Sequence, residues 1–363
     1  MVRHARKRSA QERLSAMGQV DPAQELQRIL TVIKGVSYFG VRSPKLARMD
    51  LAHIKEAGFN AVLHTWSEED LQYYYDTMKE IVNESAAMGL SVYVNPWGVG
   101  RIFGGEAYSE LTARNHDMCQ VALDGKPKVA ACPNHPEFRA YMHKWIATVC
   151  DTDVSTIFWD EPHFYFEKGG LSNWSCRCEK CRNLFKAKFG YEMPAELTDD
   201  VKKFREESLI EFLDEMTQDV KARGKRNCVC MLPPWFPAGL DDWGRVASLA
   251  AVDEIASDPY WERGATEEWV REKYRETANK LVKVANRYGK SVQMWVKAYQ
   301  IEAGRENDLA IAVAESRAAG IKNIFAWSYR GTETLSWLKS DNPDEVARVF
   351  RSAVGAVSKP RPE

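Results

Sequence analysis

The chain of 363 residues reads as a (β/α)8, or TIM, barrel, and three features predict it. Short β-rich runs recur eight times, at 36–41, 61–65, 91–96, 156–159, 227–232, 254–257, 291–296 and 323–327, with amphipathic helical patterns between them. Two units share one grammar, Ala57-Gly58-Phe59-Asn60-Ala61-Val62 and Ala319-Gly320-Ile321-Lys322-Asn323-Ile324, in which a helix closes on glycine and drops at once into a strand. No strand is followed by a glycine-rich phosphate fingerprint, which argues against a doubly wound sheet.

Composition bounds the rest. Hydrophobic residues make up 45% and charged residues 28%, as in an ordinary folded domain. The net charge of -1 gives no case for nucleic acid or an anionic membrane as partner. The basic start (Arg3, His4, Arg6, Lys7, Arg8) is not followed by an apolar stretch, and no run reaches membrane-spanning length, so a cytoplasmic location is expected.

In chain order, residues 1–33 form an N-terminal helical segment that would cap the barrel bottom or mediate assembly into a homo-oligomer. The barrel domain is placed at 34–358. Its first helix begins at Ser43-Pro44, carries an apolar stripe of Leu46, Met49, Leu51 and Ile54, and ends at Gly58. Two connections, 97–134 and 162–205, are too long for plain loops; both follow strands at the face where barrel chemistry sits.

The fourth strand is the most informative. Thr156-Ile157-Phe158-Trp159 runs into Asp160-Glu161, and Pro162 ends it. A buried barrel strand thus delivers two acids to its carboxyl end.

Eight cysteines are present. Cys228 and Cys230 fall in a strand pattern and read as buried small hydrophobes. Cys176, Cys178 and Cys181 follow C-x-C-x2-C spacing, which favours metal over disulfides in a chain with no export signal. Cys132 would supply a fourth corner, giving a closed four-thiolate site of the structural zinc type that pins the 97–134 connection to the zinc-knuckle insertion at 162–205.

The phrase Cys132-Pro133-Asn134-His135-Pro136-Glu137-Phe138-Arg139, the acid-tipped fourth strand, the C-x-C-x2-C-x3-F run and the Phe189-Gly190 ending together resemble glycoside hydrolase family 42 β-galactosidases, within clan A. The match covers roughly residues 130–191. It implies a zinc ion on Cys132, Cys176, Cys178 and Cys181, and Glu161 as general acid. Two departures stand out: Asp160 replaces that family's asparagine, and the seventh-strand run Val292–Tyr299 has no glutamate to act as nucleophile.

Glycoside hydrolysis uses a carboxylic acid and usually a second carboxylate, about 5 Å away for retention and roughly 6.5–9.5 Å for inversion. Trp159, Phe164 and Tyr165 surround Glu161 in sequence and would raise its pKa toward acid duty. Asp258, which ends the sixth strand before Pro259, is the expected partner. Asp160 is the second candidate: its pairing with Glu161 resembles family 20 hexosaminidases, where an aspartate steadies a substrate acetamido group acting as nucleophile. Glu302 is the third.

Aromatics recur at the strand ends. Trp66, Trp97, Trp235, Tyr260, Trp295, Tyr299 and Trp327 would stack on sugar rings, with His64, Asn95, His163, Lys297 and Arg330 fixing hydroxyls. Arg42 and Arg330 become neighbours when the barrel closes and could clamp a carboxylate. The expectation is a glycoside hydrolase with a carbohydrate substrate. The alternatives are a non-catalytic sugar-binding barrel and a metal-dependent sugar isomerase or lyase using His64, His163, Asp160 and Asp258.

Overall fold

The computed structural model describes residues 32–104, 108–167 and 170–355. The expected N-terminal helical segment lies, through residue 31, outside the described residues. The strands in chain order are β1 (Lys34–Ser37), β2 (Ala61–Thr65), β3 (Ser91–Asn95), β4 (Cys119–Val121), β5 (Pro127–Ala131), β6 (Thr156–Asp160), β7 (Arg226–Met231), β8 (Glu254–Ser257), β9 (Ser291–Lys297) and β10 (Asn323–Trp327). The helices are α1 (Pro44–Glu56), α2 (Glu68–Tyr73), α3 (Tyr75–Ala87), α4 (Glu110–Arg114), α5 (Pro136–Cys150), α6 (Glu179–Phe189), α7 (Asp199–Ala222), α8 (Trp243–Ala247), α9 (Glu267–Tyr288), α10 (Asn307–Ala318) and α11 (Pro343–Ala353).

Eight strands close into a parallel barrel in the order β1-β10-β9-β8-β7-β6-β3-β2. The fold is the predicted (β/α)8 barrel. Side-chain alternation divides each strand between two cores. On β6, Phe158 points inward to Trp295 with ring centroids 5.1 Å apart, while Trp159 points outward to Trp145 at 6.3 Å. The inner core also takes Leu63, Tyr93, Cys228, Cys230 and Phe325. Gly35 is what admits Phe325: a β-carbon on Gly35 would lie 2.2 Å from the Phe325 ring.

Two local expectations change. The first strand is Lys34–Ser37 rather than 36–41; Tyr38 N–H still bonds Leu63 O at 2.8 Å, but Gly40 at φ +81° then bends the chain away. On α1 the buried stripe is Ala47, Leu51 and Ile54, whereas Leu46 and Met49 are each 55% exposed. The i, i+4, i+7 set meets the barrel and the other two face outward.

The long connection after β3 carries an unanticipated antiparallel hairpin, β4–β5. It docks on the connection after β6 through Arg177 N–H to Val121 O (2.7 Å) and Leu123 N–H to Trp174 O (3.0 Å). Gln120 joins the two further: its amide donates to Ala131 O (2.9 Å), and its Oε1 accepts from Tyr165 N–H (3.0 Å) and Ser175 Oγ (2.5 Å). No helix among the described residues is long and apolar enough to cross a membrane.

Candidate active site

The carboxyl end of β6 builds the site. Phe158 and Asp160 share the inward face, so simple alternation would send Glu161 outward. Glu161 instead adopts φ +44°, a left-handed conformation that a non-glycine residue enters at a cost of about 1–3 kcal/mol. Its N–H is anchored on Cys230 O at 3.0 Å. The turn swings Glu161 back, and Asp160 and Glu161 both line one cavity of about 960 Å³ at the barrel mouth.

Asp258, just past β8, enters the same cavity from the other side of β7 and is only 5% exposed. Its carboxyl lies against that of Glu161, and its Oδ1 has no hydrogen-bond partner. Burial first, and the Glu161 charge second, hold Asp258 well above the usual carboxylate range. The Cys230 thiol lies among all three acids; burial, reinforced by Asp258, Asp160 and Glu161, keeps it protonated.

Asp160 is fixed from two sides. Asn95 Nδ2 donates to its Oδ2 at 3.1 Å, and its backbone oxygen accepts from Gly104 N–H at 3.1 Å. Gly104 stands at φ +61°, where a β-carbon would come within 2.6 Å of Trp97 and 3.0 Å of the Asp160 carboxylate. His163 turns back on the same loop, Nδ1 donating to Glu161 O at 2.5 Å, and burial lowers its pKa so that the imidazole is neutral.

Aromatic rings line the mouth. Trp97 and Trp327 flank Phe39 at 5.8 and 5.2 Å, Tyr299 meets Trp327 at 5.1 Å, and Tyr260 meets Tyr299 at 5.4 Å. Trp235 lines the cavity from the loop after β7, and Trp295 forms part of its floor.

The structure places other expected site residues elsewhere. His64 follows the inward Leu63 on β2 and so points outward, its Nε2 2.8 Å from Ser85 Oγ on α3; burial pushes its pKa down to about 4. Trp66 is fully buried in the helix-facing core. Lys297 is buried behind the mouth aromatics, donating to Trp261 O at 2.5 Å, and burial lowers it to about 8. Arg330 pairs with Glu333 (3.1 Å) and Asp344 (3.6 Å), while Arg42 pairs with Asp70 (2.8 Å) and Glu69 (3.1 Å), so the two do not form a carboxylate clamp. Glu302 accepts from Gly264 N–H at 3.0 Å outside the cavity lining.

Sequence reading missed Arg101, Phe166, Phe236 and Trp269 on the cavity wall. Arg101 has φ +49° and sits in a loop with no periodic signal to mark it. Phe166 was within reach of the strand-end aromatic pattern but lies beyond the Pro162 stop.

Beside this site the four cysteines converge. Their sulfurs all lie within 4.8 Å of one another, with Cys132 3.4 Å from Cys181 and 3.7 Å from Cys178. A tetrahedral ion with metal–sulfur bonds of about 2.3 Å has sulfur–sulfur edges of about 3.8 Å, so the set fits a metal. Asn134 Nδ2 approaches Cys181 Sγ at 3.4 Å, and the buried Arg205, held on Ser175 O at 2.5 Å, supplies positive charge beside the cysteine cluster. The group ties Cys132, after β5, to the start of α6 and hence braces the loop carrying His163 and Tyr165.

No protein-family model and no curated protein sequence matches the chain. Solved structures do. The chain is similar to the catalytic domain of a β-amylase from Paenibacillus polymyxa (TM-score 0.64, 13% identity, 90% of this chain and 99% of that one). It is similar to an endo-1,4-β-mannanase from Rhizomucor miehei (TM-score 0.60, 10% identity, 90% and 94%). It also resembles a GH5_18 protein of Streptomyces cattleya in complex with Manb1-4GlcNAc (TM-score 0.56, 12% identity, 92% and 83%). At these identities the likeness establishes the barrel fold.

Proposed function

We propose that the protein is a glycoside hydrolase whose active site is the aromatic-lined cavity at the barrel mouth. The observation that carries this reading is the contact between the Glu161 and Asp258 carboxyl groups in that cavity. Two carboxyl groups in contact oppose each other's ionisation, and with the burial of Asp258 this favours a proton on the pair. Asp258, the more buried member, favours the proton at rest; it passes across the contact to Glu161, the more exposed member, which presents it to the glycosidic oxygen. The β-amylase and the endo-mannanase among the similar structures share this barrel fold, which is in keeping with the reading.

Carboxyl groups in contact are closer than the about 5 Å of a retaining pair or the 6.5–9.5 Å of an inverting one. Asp258 therefore acts with Glu161 as one acid rather than as the carboxylate opposite it. Of the other two acids lining the cavity, Glu262 is exposed on the rim, and Asp160, oriented by Asn95, takes the role of steadying the attacking group, a water or a substrate substituent. Asn95, Trp97, His163, Trp235, Tyr260, Trp295, Tyr299 and Trp327 form the sugar-binding surround. The cysteine group holds zinc with no open position and serves as a structural brace. Among the described residues the acids and histidines of the cavity do not converge as a metal-ligand set, so the isomerase or lyase alternative has no such support.

A panel of nitrophenyl glycosides, with the product anomer followed by NMR, tests the reading. Hydrolysis of at least one member, lost in Glu161→Gln, supports it; sugar binding without hydrolysis of any member would favour the non-catalytic barrel.

A further inference from the structure

The mouth of the cavity has two aromatic walls. The first runs Trp97–Phe39–Trp327–Tyr299–Tyr260 and follows the rim from β3 through β1 and β10 to β8. The second takes the complementary arc: Tyr165 and Phe166 after β6, Trp235 and Phe236 after β7, and Trp269 in the first turn of α9. Its rings are mutually braced, Phe166 against Phe236 at 5.2 Å and Trp235 against Trp269 at 5.7 Å and 77°. The Lys273 ammonium, which does not line the cavity, sits 5.1 Å from the Trp235 ring centre. These rings are half-buried rather than packed away, so their apolar surface is held in place yet left open to the cavity.

The acids lie where the two arcs meet, Glu161 leaving from β6 and Asp258 from β8 with β7 between them. A bond broken there has one sugar on each side. The cavity's 960 Å³ is at the top of the range that holds a drug-sized ligand of many rings, and a single pyranose fills little of it. Exposed Glu262 and Arg263 on the rim supply polar groups for hydroxyls.

Resting on the glycosidase reading, we infer that the second wall is a leaving-group subsite for a further sugar, and that the substrate is an oligosaccharide rather than a glycoside of a small aglycone. One sugar stacks on the Trp97–Tyr260 arc and the next on Trp235 and Phe236.

The experiment compares nitrophenyl monoglycosides with α- and β-linked gluco- and manno-oligosaccharides of increasing length. Cleavage is followed by kcat/KM, and binding by tryptophan fluorescence on the full chain. The expected result is tighter binding and faster cleavage as sugars are added. In Trp235→Ala the loss on oligosaccharides should exceed that on monoglycosides by about tenfold, and Trp235→Phe should recover most of it. Equal losses on both substrate types, or no binding of any oligosaccharide, overturn the inference. Length-dependent binding with no cleavage would keep the subsite and reject the hydrolase reading, whereas Glu161-dependent cleavage of monoglycosides alone would do the reverse.

Discussion

The carboxyl groups of Glu161 and Asp258 meet although they leave the barrel on β6 and β8, with all of β7 between them. The contact depends on the left-handed turn at Glu161, which cancels the alternation that would otherwise send its side chain into the helix layer.

This contact has a pH signature. Asp258 is held above its unfolded pKa, so its protonated form is favoured in the folded state. Its contribution is therefore complete below about pH 4, the unfolded value, and is lost as pH rises toward the folded pKa. Asp258→Asn removes that loss. Relative to wild type, the variant should melt at a higher temperature at pH 7 than at pH 4, while activity falls. Melting curves at the two pH values check this; an equal shift at both would mean that Asp258 titrates normally.

The cysteine brace gives the second prediction. The protein should carry one tightly held zinc ion per chain, released when the thiols are modified. Cys181→Ser should lose it and lower the melting temperature by roughly 5–10 °C. Metal analysis and calorimetry decide this; a metal-free wild type, or a bound metal unaffected by Cys181→Ser, counts against a thiolate site.

The two tryptophans just past β2 and β3 should part company. Trp66 is fully buried, so Trp66→Ala should cost about 3–5 kcal/mol of stability. Trp97 lines the cavity, so Trp97→Ala should cost much less stability but weaken sugar binding. Denaturant melts and fluorescence titrations of both variants test the division; equal destabilisation would place Trp97 in the core as well.

Much of the barrel was legible in the sequence because buried parallel strands are continuous apolar runs, punctuated by helix-ending glycines such as Gly58 and Gly320. Directions of side chains were less so. His64 and Arg330 were placed by position along the barrel, but position does not give facing: alternation after Leu63 turns His64 outward, and Arg330 is drawn to Glu333 and Asp344. Asp160 and Glu161 could both enter the site only through a backbone conformation that residue identity does not announce. The four cysteines were readable because metal-ligand spacing is local for three of them, and the hairpin that delivers Cys132 left no comparable pattern.

In the proposed reaction Glu161 delivers the proton. With a hydrolysed substrate in hand, kcat of Glu161→Gln measured beside its tryptophan-fluorescence sugar affinity is the direct test. A fall in kcat of at least about a hundredfold is expected, with affinity kept within a few-fold. Turnover near the wild-type level in Glu161→Gln would contradict it.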